Sequence, residues 1–199
     1  KRYKLMRLKD TKEILNKFAK YVIQQARTNL TKDKKAKGDK KLYNSLYKKI
    51  NVYKDSIDVI FGGEDYLPFV DLGVKGNDPS RLSPNAKIKG QQAPNSPYRF
   101  GTGSRKGTFK EFTKRMSAFA KAKNIRFRQG KTGKFAKGGY DAMGYVIASN
   151  IYNRGIKPSF FFTKPFQRAF KYLPDELRDA FVFDIEQDEK FFPENMNKN

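Results

Sequence analysis

Residues 66–73 read YLPFVDLG, and a second segment, residues 155–162, reads GIKPSFFF. The first segment follows a predicted β-hairpin, whereas the second follows one predicted helix and precedes another. Neither segment carries the residues of a catalytic or cofactor-binding motif. Between them, residues 74–140 hold seventeen Lys and Arg against two acids. This order of parts indicates a protein that works by assembling rather than by chemistry.

The clearest element lies near the beginning of the sequence. Asp10 is predicted to cap a helix there, and Glu13 completes a capping-box pattern with it. Apolar residues then recur at helical spacing, which predicts one buried stripe. The stripe consists of Ile14, Leu15, Phe18, Val22, Ile23, Ala26 and Leu30.

A β-hairpin is predicted next. Apolar and polar residues alternate in two short runs, residues 46–53 and 57–61, on either side of a polar turn at residues 54–56. Alternation with a period of two around a short polar turn is typical of paired strands. Gly62 and Gly63 are expected to end the second strand.

Three further helices are predicted downstream. Thr108 and Glu111 form a second capping-box pattern, which places a helix inside the basic segment. Another helix begins near Asp141 and ends at Gly155, a residue favoured just after a helix C-terminus. The last helix is expected to take Thr163 as its N-cap, with Pro165 in its first turn. Pro174 is expected to kink or divide that helix.

These elements predict the α+β class. A small antiparallel sheet, built on the β-hairpin, packs against the N-terminal and C-terminal helices. The basic segment, residues 74–140, forms a long loop–helix insertion. The whole chain, residues 1–199, is expected to be a single domain with a flexible tail at residues 191–199.

The formal net charge of +23 on 199 residues is large. Such a charge favours a polyanionic partner, nucleic acid first and acidic protein surfaces second. The alternative interpretation is an ordinary solvated basic surface. The charge is also polarised, because residues 170–199 contain eight acids and four bases.

One part of the insertion interleaves cations with aromatic rings. The cations are Arg126, Arg128, Lys131, Lys134 and Lys137, and the rings are Phe127, Phe135 and Tyr140. This combination suits phosphate neutralisation and base stacking. It suits equally well a loop that docks on an acidic neighbouring subunit.

The composition excludes several kinds of chemistry. Without Cys or His, the chain lacks disulfides, thiolate chemistry, the usual general base and the usual zinc ligands. No cofactor or metal is expected, and the protein is not expected to be an enzyme. Neither an apolar run long enough for a membrane span nor a signal peptide is apparent, so we expect a soluble product made in a cytoplasm.

Two patterns resemble catalytic motifs. Residues 130–132, GKT, match the end of a phosphate-binding loop, but Ile125 stands where that loop requires glycine. Glu64, Asp65 and Asp71 are candidates for a Mg²⁺ site in a nuclease. A turn or a helix cap explains the first two acids equally well.

The order of parts resembles the tail-completion (neck) proteins of tailed bacteriophages, over most of the chain. In that family an element of the form Tyr-x-x-aromatic-Val-acid-x-Gly follows a hairpin. It is matched here by Tyr66, Phe69, Val70, Asp71 and Gly73. A later helix ends in Gly-Ile-x-Pro-x-Phe-Phe, matched by Gly155, Ile156, Pro158, Phe160 and Phe161. The strongly basic insertion and the acidic residues after Phe191 depart from the family pattern.

The resemblance implies a structural virion protein, assembled in the host cytoplasm as a homo-oligomeric ring at the head–tail junction. The ring would surround the DNA channel, contact portal, adaptor or tail proteins and touch DNA without sequence specificity. The alternative is a free basic nucleic-acid-binding protein of the packaging or ribosomal type. A metal-dependent nuclease using Asp65 or Asp71 is a third alternative.

Overall fold

The computed structural model describes residues 8–32, 40–53, 56–82, 88–103, 107–128, 133–134 and 139–191. The fold is α+β, as the sequence predicts. In chain order the elements of the described residues are α1 (Lys9–Lys32), α2 (Lys40–Ser45), β1 (Tyr47–Val52), β2 (Ile57–Gly62), α3 (Leu67–Leu72), β3 (Val74–Lys75), a 3₁₀ helix (Pro79–Arg81), α4 (Phe109–Ala122), α5 (Gly139–Arg154), β4 (Gly155–Ile156), α6 (Thr163–Phe170) and α7 (Leu173–Phe191).

The chain folds into two compact units. The first unit takes the described residues up to Leu67 and those from Phe160 onward, and the second unit is Pro68–Ser159. The predicted insertion, residues 74–140, lies within the second unit. Of the predicted tail, residues 192–199 lie outside the described part of the chain. Among the described helices, none is both long and apolar enough to cross a membrane.

The core of the first unit forms along α1. The helix buries Thr11 and one apolar stripe, which confirms the helical spacing seen in the sequence; the apolar residues are Leu15, Phe18, Ala19, Val22, Ile23, Ala26 and Leu30. Phe18 meets Phe61 of β2 and Phe166 of α6 edge to face, at ring distances of 6.1 and 5.7 Å. Edge-to-face contacts of this kind add stability beyond simple burial.

The β-hairpin has the predicted strands. β1 and β2 pair antiparallel from Tyr47 opposite Gly62 to Val52 opposite Ile57. Next to the predicted turn, the backbone N–H of Tyr53 donates to the carbonyl of Ser56 at 2.8 Å. Ile50, Ile57, Val59 and Phe61 pack on the α1 core. The sheet therefore covers the apolar stripe of α1.

The predicted cap of α1 is wrong. The helix begins at Lys9, so Asp10 lies inside its first turn. The capping carboxylate is that of Asp184 in α7, which accepts hydrogen bonds from the backbone N–H groups of Asp10 and Thr11 at 3.0 and 2.9 Å. Glu13 instead pairs with Lys17 on the helix surface. The cap of α1 therefore comes from a residue distant in sequence, and not from the nearby residue that the sequence pattern predicts.

The last predicted helix is divided, as Pro174 indicates. α6 ends at Phe170 and α7 begins at Leu173, so the proline lies in the first turn of α7. Thr163 is the first residue of α6 rather than its cap, which is Phe162. Pro165 is buried within the first turn, where its missing N–H costs little.

In the second unit, α4 packs against α5. The predicted capping box is present: the backbone N–H of Glu111 donates to the Thr108 hydroxyl at 3.2 Å, and the N–H of Thr108 donates to the Glu111 carboxylate at 2.9 Å. The helices approach most closely at Gly144, where an added Cβ would lie 2.5 Å from the backbone N of Ser117. The apolar residues of α5 are only half-buried, whereas the small residues Gly144 and Ala148 are buried; the half-buried residues are Met143, Val146, Ile147 and Ile151.

Candidate nucleic-acid interface

α4 displays a row of exposed cations. Ser117 and Ala120 are buried on the inner side. Four exposed residues lie along the helix next to this buried side, and we call them the basic α4 face: Lys110, Lys114, Ala118 and Lys121. The i, i+4 and i, i+7 spacing places these cations along one line of the helix. A line of exposed cations is suited to an anionic surface.

Beyond α4, the chain turns sharply at Asn124. This residue has φ of 51°, in the left-handed region where Asn is among the better tolerated residues. The turn lets the N–H of Ile125 donate to the Ala120 carbonyl at 2.8 Å. A residue in this conformation is a common way to end a helix. Lys121 and Lys123 flank the turn, where the negative end of the helix dipole favours cations.

Asn124 also contacts two members of the predicted set of interleaved cations and rings, Arg126 and Tyr140. Its side-chain oxygen accepts hydrogen bonds from the Tyr140 hydroxyl at 2.9 Å and from the Arg126 guanidinium at 3.3 Å. The same guanidinium lies over the Tyr140 ring, 5.2 Å from its centroid. The end of α4 is thereby joined to the beginning of α5, and Arg126 is held in one orientation.

The remaining predicted cations have different surroundings. Arg128 is exposed and makes a long hydrogen bond of 3.5 Å to the Gly133 carbonyl. Lys134 is also exposed. Lys131 and Lys137 lie outside the described residues, as do Phe135 and the whole GKT motif at residues 130–132. Phe127, exposed between Arg126 and Arg128, preserves the interleaved pattern on the surface.

The residues of the first motif form a short helix and the turn after it. Tyr66 is half-buried in the turn before α3, and Asp71 is buried within α3. Phe69 is exposed and meets the Tyr98 ring edge to face at 4.6 Å. Gly73 follows α3 with φ of 71°. The motif thus reverses the chain between α3 and β3.

The residues of the second motif connect β4 to α6. Gly155 opens β4, and Pro158 is half-buried in the segment that follows. Phe160 has φ of 52°, an uncommon value for an aromatic residue, and the Lys164 ammonium lies 5.6 Å from its ring centroid. Phe161 is buried, and its carbonyl accepts a hydrogen bond from the Asn29 amide at 3.2 Å.

The structure brings the two motifs together. β3, which follows the first motif, pairs antiparallel with β4, which begins the second. The Val70 carbonyl accepts two hydrogen bonds from Ser159, one from its N–H at 3.2 Å and one from its hydroxyl at 2.7 Å. We call this pairing the motif junction. The motif junction joins the segment where the chain enters the second unit to the segment where the chain leaves it.

The three acids considered for a metal site do not form a cluster. Glu64 pairs with the Lys41 ammonium at 2.7 Å, and its N–H donates to the Ser45 hydroxyl. Glu64 and Asp65 belong to the first unit, whereas Asp71 belongs to the second. Within the described part of the chain, no three acidic side chains are placed to hold a metal ion together.

The sequence interpretation missed two features of this surface. Asn124 lay in a stretch interpreted as basic loop, although an Asn just past an apolar helix pattern is a known helix-ending signal. The basic α4 face was also missed. Its signal is the spacing of Lys110, Lys114 and Lys121.

Comparisons of the chain with protein-family models, curated proteins and solved structures found no match. The function of this surface is therefore inferred from its residues and their geometry.

Proposed function

We propose that the protein is a structural virion component of the phage head–tail junction, where it forms an oligomeric ring around the DNA channel. The observation that carries this proposal is the motif junction. The two segments that resemble the neck family, more than 80 residues apart, pair through β3 and β4. Both segments therefore contribute to the same structural feature. This is expected of a protein whose function is to give an assembly its shape.

The charge distribution supports the DNA side of the proposal. Arg126 is held by Asn124 and Tyr140, while Arg128 and Phe127 next to it are exposed. Cations and a ring on one surface can neutralise phosphates without reading bases. A ring repeats this surface in every subunit, so the field at its centre grows with subunit number.

A second candidate is a free basic nucleic-acid-binding protein. The same exposed Phe127 and Arg128 favour it, since stacking and phosphate contact suit single strands as well as duplexes. The two candidates differ in where affinity arises. A free binding protein has its full affinity as a monomer, whereas a connector gains affinity only when many weak surfaces act together.

The deciding experiment separates the oligomer from the monomer by size and measures the DNA affinity of each against salt concentration. The connector predicts a weak monomer and an oligomer that binds far more tightly, with a much steeper salt dependence. A monomer that binds DNA as tightly, per site, as the oligomer would favour the free binding protein and contradict the connector.

A further inference from the structure

α7 exposes an acidic and apolar surface on its outer side. Leu173 and Asp184 are buried on the inner side. On the outer side, Val182 lies between two exposed acids, Asp179 and Glu186, and we call these three residues the acidic α7 face. Phe181 and Phe183 flank it and are each more than 40% exposed. Large apolar side chains grouped in this way commonly mark an interaction surface.

The acidic α7 face stays negative although one cation lies beside it. Arg178 pairs with Asp175 and Asp179 at 3.5 and 3.1 Å. Over its whole length, however, α7 contains seven acids and two bases. The net charge of the chain is +23, and α7 is the helix whose charge departs most from it toward the negative. Its natural partner is a basic surface that also has apolar area.

The basic α4 face has the matching dimensions. Lys114 and Lys121 are seven residues apart, as are Asp179 and Glu186, so each pair spans about 10 Å along its helix. The residue between the lysines is the small Ala118, whereas the residue between the acids is the larger Val182. A large side chain facing a small one allows two helices to approach closely.

We propose that the acidic α7 face of one copy docks on the basic α4 face of the next copy. This inference rests on the proposed ring and names the contact that builds it. The two faces are different surfaces, one on each unit of the chain, so the contact is head-to-tail. In an open chain of copies with head-to-tail contacts, one end has an unused acidic α7 face and the other end has an unused basic α4 face. Closure into a ring brings these two faces together. Charge complementarity would also set the register between copies.

The contact is tested by charge reversal and rescue. Asp179→Lys with Glu186→Lys should abolish the oligomer, and so should Lys114→Glu with Lys121→Glu. Combining all four substitutions in one chain should restore it, because each reversed pair again meets its opposite charge. The readout is oligomer mass by sedimentation velocity. All four side chains are exposed, and circular dichroism checks that each variant remains folded.

A matched control reverses two exposed acids elsewhere in the first unit, with Glu13→Lys and Asp58→Lys. It makes the same change in net charge and should leave the oligomer intact. If the α7 variant retains the wild-type oligomer, the docking contact is wrong while the ring proposal stands. If Lys114→Glu with Lys121→Glu weakens DNA binding but not assembly, the α4 face serves DNA and the contact is again wrong. A wild-type chain that never assembles overturns both proposals.

Disulfide crosslinking gives an independent test, since the chain has no natural cysteine. Val182→Cys with Ala118→Cys in the same chain should yield a ladder of crosslinked multimers under mild oxidation. Either substitution alone should give no specific crosslink, because the residue facing it in the contact has no thiol. The pairing Val182→Cys with Asp58→Cys serves as the control. A ladder equally strong in this control would contradict specific docking.

Discussion

At the scale of single residues, Asp184 holds the beginning of α1. Its carboxylate accepts the N–H groups of Asp10 and Thr11, and the Thr11 hydroxyl donates to it at 2.7 Å. The first N–H groups of a helix have no partner within the helix, so a buried acceptor at this end is stabilising. The bonds join α7 to α1 within the first unit.

Replacing Asp184 with Ala should destabilise the protein. Two backbone donors, one of them buried, and one buried hydroxyl would lose their acceptor, at a cost of about 2 kcal/mol. Urea unfolding of the full chain measures the loss. Asp175→Ala on the same helix is the control, because this exposed acid has only a surface ion pair. If the two variants lose the same free energy of unfolding, Asp184 does not act as the cap of α1.

The same carboxylate makes stability depend on pH. Burial alone would raise the pKa of Asp184, but the hydrogen bonds from Thr11 and Asp10 outweigh it and lower the pKa below its usual value. The ionised cap therefore stabilises the fold above the unfolded-state pKa of about 4. This contribution is lost as pH falls through the lower folded-state pKa.

The comparison with Asp184→Asn isolates this contribution. The free-energy difference between wild type and variant should be constant near neutral pH and shrink below about pH 4. It is measured by urea unfolding at a series of pH values. A difference that stays constant down to strongly acidic pH would contradict the assigned ionisation.

At the scale of elements, the motif junction depends on close backbone packing. Gly155 has φ of 90°, and a Cβ placed there would lie 2.2 Å from the Val74 carbonyl oxygen. Only glycine fits both the conformation and the space. The two-residue strands β3 and β4 can pair because no side chain intervenes.

Gly155→Ala should therefore open the junction. The left-handed conformation alone costs an alanine about 1–2 kcal/mol, and the steric overlap adds to it. Faster hydrogen exchange at Val74 and at Ser159, whose N–H donates to the Val70 carbonyl, is the expected signature. Gly90→Ala is a matched control, since Gly90 also has positive φ but faces open space. Similar exchange in both variants would mean that close packing at Gly155 is unimportant.

Periodic elements were predictable from the sequence, and elements fixed by distant partners were not. The α1 stripe, the hairpin strands and the Thr108 capping box follow from local spacing. The β3–β4 pairing has too few residues to show a period. The Asp184 cap joins residues 173 positions apart, so Asp10 was the better local candidate. At the candidate site, Arg126 and Tyr140 were predicted together, whereas Asn124, which orients both, was not.

At the scale of the whole molecule, charge is separated along the chain. The basic surface near the end of α4 belongs to the second unit, and the acidic α7 belongs to the first. Such polarity supports the proposal that copies attract one another despite a net charge of +23, because opposite faces meet at short range. The remaining cations are then available to a polyanion.

Arg128→Ala with Lys134→Ala should reduce the salt dependence of DNA binding by the oligomer. Each lost phosphate contact lowers the slope of log affinity against log salt by about 0.9 for duplex DNA. Filter binding at several salt concentrations measures the slope. Lys12→Ala on the exposed side of α1 is the control and should leave it unchanged. An unchanged slope in the double variant would place the DNA contacts elsewhere.

The mass of the assembled species tests the proposed ring most directly. Native mass spectrometry, with electron microscopy of the same sample, measures both subunit number and closure. The connector proposal predicts one discrete species, an integral multiple of the chain mass greater than two, whose images show a rotationally symmetric ring with a central channel. A strictly monomeric chain at every accessible concentration, or an open series of masses without closed particles, would contradict it.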